Sequence, residues 1–96
     1  MSEFLQKAAS ELGAKLGSGG FDGSAKIAVT DVGSIMLDSD GAWIGDGDAE
    51  VTLNADQDTF QAIFDGDLNA TSAFMTGKLS VDGDMGMAMK LAAVLA

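Results

Sequence analysis

The 96-residue sequence predicts an α+β domain. Three observations carry this. Apolar residues recur at helical spacing near both ends of the chain, they alternate with period two through the middle, and short Gly/Asp clusters separate the alternating runs. The chain is one domain's length and shows no internal repeat. The Gly-rich stretch 17–23 lies too close to the terminus to divide two domains, so residues 1–96 are expected to form a single unit around one core.

Residues 2–16 are expected to form an amphipathic helix with Ser2 as N-cap. Phe4, Leu5, Ala8, Ala9, Leu12 and Leu16 make one apolar stripe. Glu3, Lys7, Glu11 and Lys15 lie four apart and alternate in sign on the opposite side. That polar side is neutral overall, which fits packing onto a core better than membrane insertion. Gly17-Ser18-Gly19-Gly20 ends the helix.

The period then changes to two. Ala25, Ile27 and Val29 alternate with Lys26, Ala28 and Thr30. Ile35 and Leu37 alternate with Met36 and Asp38. Trp43 sits in the short run 42–44, and Ala49, Val51 and Leu53 alternate with Glu50, Thr52 and Asn54. Turns are expected at Asp31-Val32-Gly33, at Asp40-Gly41 and around Gly45-Asp46-Gly47. The pattern predicts an antiparallel meander with one wet face.

Asp56 reads as an N-cap for a helix carrying Phe60, Ile63 and Phe64, which Gly66 stops. A second short helix is expected over 69–76 and a last strand over 78–82, with Leu79 and Val81 pointing inward. Asp84 is placed to cap a final helix, 85–95. This helix is apolar almost all round, with Lys90 its single charge. Such a helix should be buried on nearly every side, and a chain this short has too little protein to do that. A ligand, a partner or a second copy is therefore expected to cover part of it.

Composition narrows the chemistry. There is no His, Cys, Tyr, Pro or Arg. A Ser-His-Asp triad, a thiol nucleophile and a His- or Cys-ligated metal are impossible. Five lysines against fifteen acidic residues give a net charge of −10. Nucleic acid binding, which needs clustered cations to displace phosphate counterions, is not expected. An anionic membrane surface would repel the chain within a Debye length of about 8 Å. The amino terminus lacks an apolar signal core, no run is long enough to span a bilayer, and Val94-Leu95-Ala96 is not a peroxisomal address. A cytoplasmic protein is the expectation.

The acidic runs Asp38-Ser39-Asp40-Gly41 and Asp46-Gly47-Asp48-Ala49-Glu50 invite a calcium reading. An EF-hand loop needs Gly at its sixth position, where these runs place Trp43 and Val51. They are read as solvated turns, and no metal or other cofactor is expected. Asp82 and Asp84 could do acid–base work only if partly buried, and a capping role accounts for Asp84. Four methionines cluster late in the chain, at 75, 85, 87 and 89. Flexible, polarizable thioethers suit a pocket that accepts varied apolar shapes.

Residues 55–92 resemble the sterol carrier protein 2 family. The Gly66-Asp67-Leu68 turn, Ser72-Ala73-Phe74, Gly77-Lys78-Leu79 and the run Gly83-Asp84-Met85-Gly86-Met87-Ala88-Met89-Lys90-Leu91 carry the likeness. The amino-terminal half is similar in element order alone. The sequence departs from the family at Asp67, where members often have Lys, and at Thr71 and Thr76, near which they often have an amide. The resemblance implies a five-stranded, mainly antiparallel sheet with helices on one face, enclosing an apolar tunnel that the final helix helps to close. It further implies non-catalytic binding, and transfer, of sterols, fatty acids or other long-chain lipids, in a small stand-alone member of bacterial type. By analogy Phe60, Phe64, Phe74, Met75, Met85 and Met89 are the expected lipid-binding residues. Lacking Arg, the chain is a poor fit for the phosphates of acyl-CoA. Transient membrane contact and a monomeric or homodimeric state are compatible with this reading. The alternative is an accessory interaction or dimerisation module for an enzyme of lipid or lipophilic-quinone metabolism, as some family relatives are.

Overall fold

In the computed structural model, residues 3–95 are described. Helix α1 (Glu3–Leu16) runs into a single 3₁₀ turn at Gly17–Gly19 and is followed by β1 (Ala25–Val29), β2 (Gly33–Asp38), β3 (Gly41–Ile44) and β4 (Val51–Ala55). Helices α2 (Gln57–Phe64) and α3 (Ala70–Met75), strand β5 (Ser80–Gly83) and helix α4 (Met85–Leu95) complete the chain. The expected Ser2 cap lies outside the described residues.

The five strands form one sheet in the order β3-β2-β1-β4-β5. Alternation explains its apolar face. Antiparallel pairing sets Ala25 beside Leu37 and Ile27 beside Ile35. On the other side of β1, Ala25 meets Val51, Ile27 meets Leu53 and Val29 meets Ala55. All of these are buried, so the inward positions of three adjacent strands form one continuous surface. Helix α1 packs over β2 and β3 and helix α4 over β4 and β5. Leu5, Ala8 and Leu12 of α1 are buried, and Phe4, Ala9 and Leu16 pack half-buried beside them.

The meander holds from β1 to β3. The tight turn between β1 and β2 is closed by Val32 N–H donating to Val29 O at 3.0 Å. Asp31 takes a left-handed backbone there, at φ 62°. The next join departs from the expectation. Strand β4 does not pair with β3; it returns past β2 and lies parallel to β1. Gly45-Asp46-Gly47 is therefore part of a crossover, residues 45–50, and not a hairpin turn. Three inter-strand spacings of about 4.8 Å separate β3 from β4, and six extended residues reach about 20 Å, so the segment is long enough.

The crossover also alters the second face of the sheet. Lys26 Nζ holds Asp46 Oδ1 at 2.8 Å, Ser34 Oγ donates to Gly45 O at 2.8 Å, and Glu50 N–H donates to Ser24 Oγ at 3.0 Å. Gly45 and Gly47 lie against Met36. Met36 was expected on the wet face, and this cover leaves it 8% exposed.

A candidate lipid cavity under the final helix

The local sequence shapes the carboxy-terminal half through its helix ends. Asp56 accepts a hydrogen bond from Thr59 N–H at 2.7 Å and caps α2. The Thr59 hydroxyl, and after it that backbone bond, hold the Asp56 carboxyl below its ordinary value, as Lys26 does for Asp46. Asn69 caps α3 by accepting from Thr71 N–H at 2.8 Å and Ser72 N–H at 3.3 Å. Asp84 Oδ1 accepts from Met87 N–H at 3.1 Å at the start of α4.

Helices α2 and α3 stop in the same way. Gly66 and Gly77 both adopt φ 81°. After Gly66, the amides of Asp67 and Leu68 donate to Ala62 O at 2.9 and 3.1 Å; after Gly77, those of Lys78 and Leu79 donate to Ala73 O at 2.9 and 3.1 Å. These are Schellman-type caps, which need a residue free to enter the left-handed region. Each reverses the chain and brings the leucine two positions after the glycine, Leu68 or Leu79, to the same space.

That space is a cavity of about 700 Å³. Its floor is Leu53 of β4 and Val81 of β5, and its sides come from the end of α2, from Leu68 to α3, and from α4 through Met85, Ala88, Met89, Ala92 and Ala93. Asn69 and Thr71 supply polar side chains to the wall, and no charged side chain lines it among the described residues. The volume falls within the roughly 300–1,000 Å³ of pockets that hold small organic ligands. Phe74 (43%), Met75 (79%), Met85 (52%) and Met89 (70%) stay substantially exposed around the opening.

Four of the six sequence-predicted residues, Phe74, Met75, Met85 and Met89, are thus brought together at this cavity. Phe60 and Phe64 are placed elsewhere. Phe60 is fully buried in the core. Phe64 stacks on it with ring centroids 6.4 Å apart and meets Phe4 of α1 at 6.1 Å. Leu53, Leu68, Leu79 and Ala92 line the cavity without having been singled out. The two leucines carry a readable signal, an apolar residue two places after a helix-ending glycine. Leu53 reads as an ordinary inward strand residue, and nothing local marks it.

Residues 6–96 match the SCP-2 sterol transfer family. The chain belongs to this family. Hydroxysteroid dehydrogenase-like protein 2 of Danio rerio is 41% identical over 64 residues, which cover 62% of this chain and 15% of that protein. The SCP-2 domain described here therefore spans a small part of the length of the curated relative it matches. The solution structure of sterol carrier protein-2 from Aedes aegypti, a complex with palmitate, matches 100% of this chain and 97% of its own at a TM-score of 0.81 and 24% identity. Palmitated SCP2L2 from the same organism matches 99% of this chain and 95% of its own, at a TM-score of 0.69 and 23% identity. The mixed, mostly antiparallel five-stranded sheet with its helices is the SCP-2 fold.

Proposed function

We propose that this SCP-2 domain binds one long-chain or sterol-like lipid in the cavity beneath α4 and passes it on without catalysing a reaction. The observation that carries the reading is the apolar cavity of about 700 Å³ in a chain of this family. Structural relatives that hold palmitate support it. Phe74, Met75, Met85 and Met89, together with Leu68, Leu79 and Ala92, would contact the lipid.

Magnitudes bound the affinity. Burying one CH₂ contributes about 0.8 kcal/mol, so a chain of about sixteen carbons gains up to ~13 kcal/mol gross. Association and ordering cost about 4–15 kcal/mol. The difference is at most about 9 kcal/mol, so binding in the micromolar range or somewhat tighter is the ceiling. Among the described residues the lining carries no cation to pair with the phosphates of acyl-CoA, so a lipid without phosphate groups is favoured over acyl-CoA.

The test is saturable uptake by delipidated protein of a fluorescent long-chain alcohol or sterol analogue, with acyl-CoA as competitor. One-to-one uptake in the micromolar range, poorly displaced by acyl-CoA, is expected. Absence of saturable uptake for every long-chain probe contradicts the reading. A second reading, delivery of lipid to an attached or partner enzyme, draws on the match to a dehydrogenase-like protein of which this domain covers a small part. It predicts that an enzyme acting on lipophilic substrates turns over faster when this domain is fused to it.

A further inference from the structure

The rim of the cavity has a chemistry of its own. Met75 and Phe74 at the end of α3 face solvent on one side, and Met85 and Met89 of α4 on the other. Together they form a contiguous exposed apolar collar around the opening, the kind of patch that marks an interaction site on a monomer. Unbranched thioethers and an aromatic ring suit a fluid apolar partner. No helix among the described residues is long and apolar enough to cross a membrane, so contact by the collar would be superficial.

Charge decides which surface the collar can meet. The lysines nearest to it in the chain are Lys78 and Lys90. Lys90 Nζ lies 3.3 Å from Asp22, and Lys78 is exposed just after α3. Asp67 and Asp84 adjoin lining residues and are exposed, and the whole chain carries −10. Two lysines do not make a basic ring, and no charged side chain lines the cavity among the described residues. Helix α1, the other amphipathic element, keeps its apolar stripe against the sheet. A second copy is a poor occupant: four exposed apolar side chains are far fewer than the roughly 20–30 residues a side of a stable interface, and two chains of this charge repel.

We propose that this collar docks the open cavity onto an uncharged or zwitterionic lipid surface, and that anionic surfaces are disfavoured. The proposal rests on the cavity being the lipid site, because docking then places the opening against the lipid source. Apolar insertion supplies the attraction, and the negative field of the chain supplies the selectivity.

Flotation with phosphatidylcholine vesicles, and with the same vesicles containing phosphatidylserine, tests this on the unaltered protein. Co-flotation with the first, and a loss of roughly fivefold or more with the second that salt reverses, are expected. The double change Met75→Asp and Met89→Asp should reduce co-flotation roughly tenfold or more. Lys7→Glu on α1 should alter it less than about twofold. Circular dichroism checks that the double variant is folded, and the vesicle-composition series stands without it. Tighter binding to the anionic vesicles overturns the proposal. So does concentration-dependent dimerisation that the double change abolishes, because the collar would then belong to a second copy. Uptake of a dispersed lipid probe without co-flotation overturns docking and leaves the lipid-binding reading standing. Co-flotation without any probe uptake does the reverse.

Discussion

Helices α1 and α4 lie on the same face of one sheet, and the first fills the space beneath it while the second roofs a cavity of about 700 Å³. Helix α1 sets Leu5, Ala8 and Leu12 into the core at 4% exposure or less. Its charged residues face water, and its apolar content matches what the sheet can cover. Helix α4 is the more apolar of the two and buries Met87, Ala88, Leu91 and Leu95. Even so, Met85 and Met89 remain more than half exposed. Under α1 the apolar stripe is used for packing. Under α4 the apolar surface left over from that helix's core contact surrounds an opening, so the surplus is explained by what the helix encloses.

Substitutions under the two helices should separate these roles. Leu12→Ala removes a fully buried side chain from the filled side, and a loss of about 3 kcal/mol is expected by urea denaturation. Asn69→Ala removes the cap of α3 at the cavity wall and should cost about 1 kcal/mol in the same assay. Ala92→Phe directs bulk into the cavity. Overpacking a filled core costs about 1–3 kcal/mol, so here the expected change is smaller, under about 1 kcal/mol, while lipid uptake falls sharply. Met89→Ala should alter stability by less than about 0.5 kcal/mol and weaken uptake. If Met89→Ala were as destabilising as Leu12→Ala, α4 would cover a packed core and the contrast would fail.

Acid should act on the two ends of the sheet region through named groups. The Asp46 and Asp56 carboxyls are held below their ordinary value of 3.8 in the folded chain, Asp46 by its bond to Lys26 and Asp56 by its bonds to Thr59. The unfolded chain therefore takes up these protons first. The stability they contribute is fully present above about pH 4 and is lost as pH falls through the lowered folded values. Thermal melts from pH 6 to pH 3 should show this decline, and Lys26→Met should remove the Asp46 part of it.

Much of this architecture was legible in the residues. Period-two alternation marked the inward faces of β1, β2 and β4, and Asp56, Asn69 and Asp84 fall where the helices begin. The crossover was not legible. Gly45-Asp46-Gly47 has turn chemistry, and a parallel partner for β1 is a non-local choice that alternation within one strand cannot encode. Met36 followed from that omission, since its cover comes from residues 45–47. At the cavity, the clustered methionines pointed to an apolar pocket, and the structure sets Met75, Met85 and Met89 at its rim. Phe60 and Phe64 carried the same apolar signal but serve the core, because helical spacing cannot tell a wall facing space from one facing another ring.

Native mass spectrometry of the freshly purified protein tests the central claim most directly. The account predicts a population of the 9.7 kDa chain carrying one long-chain or sterol-like lipid, with Ala92→Phe shifting that population to the bare chain. A bare chain in every preparation that also fails to acquire lipid after incubation with a long-chain alcohol or a sterol would contradict it.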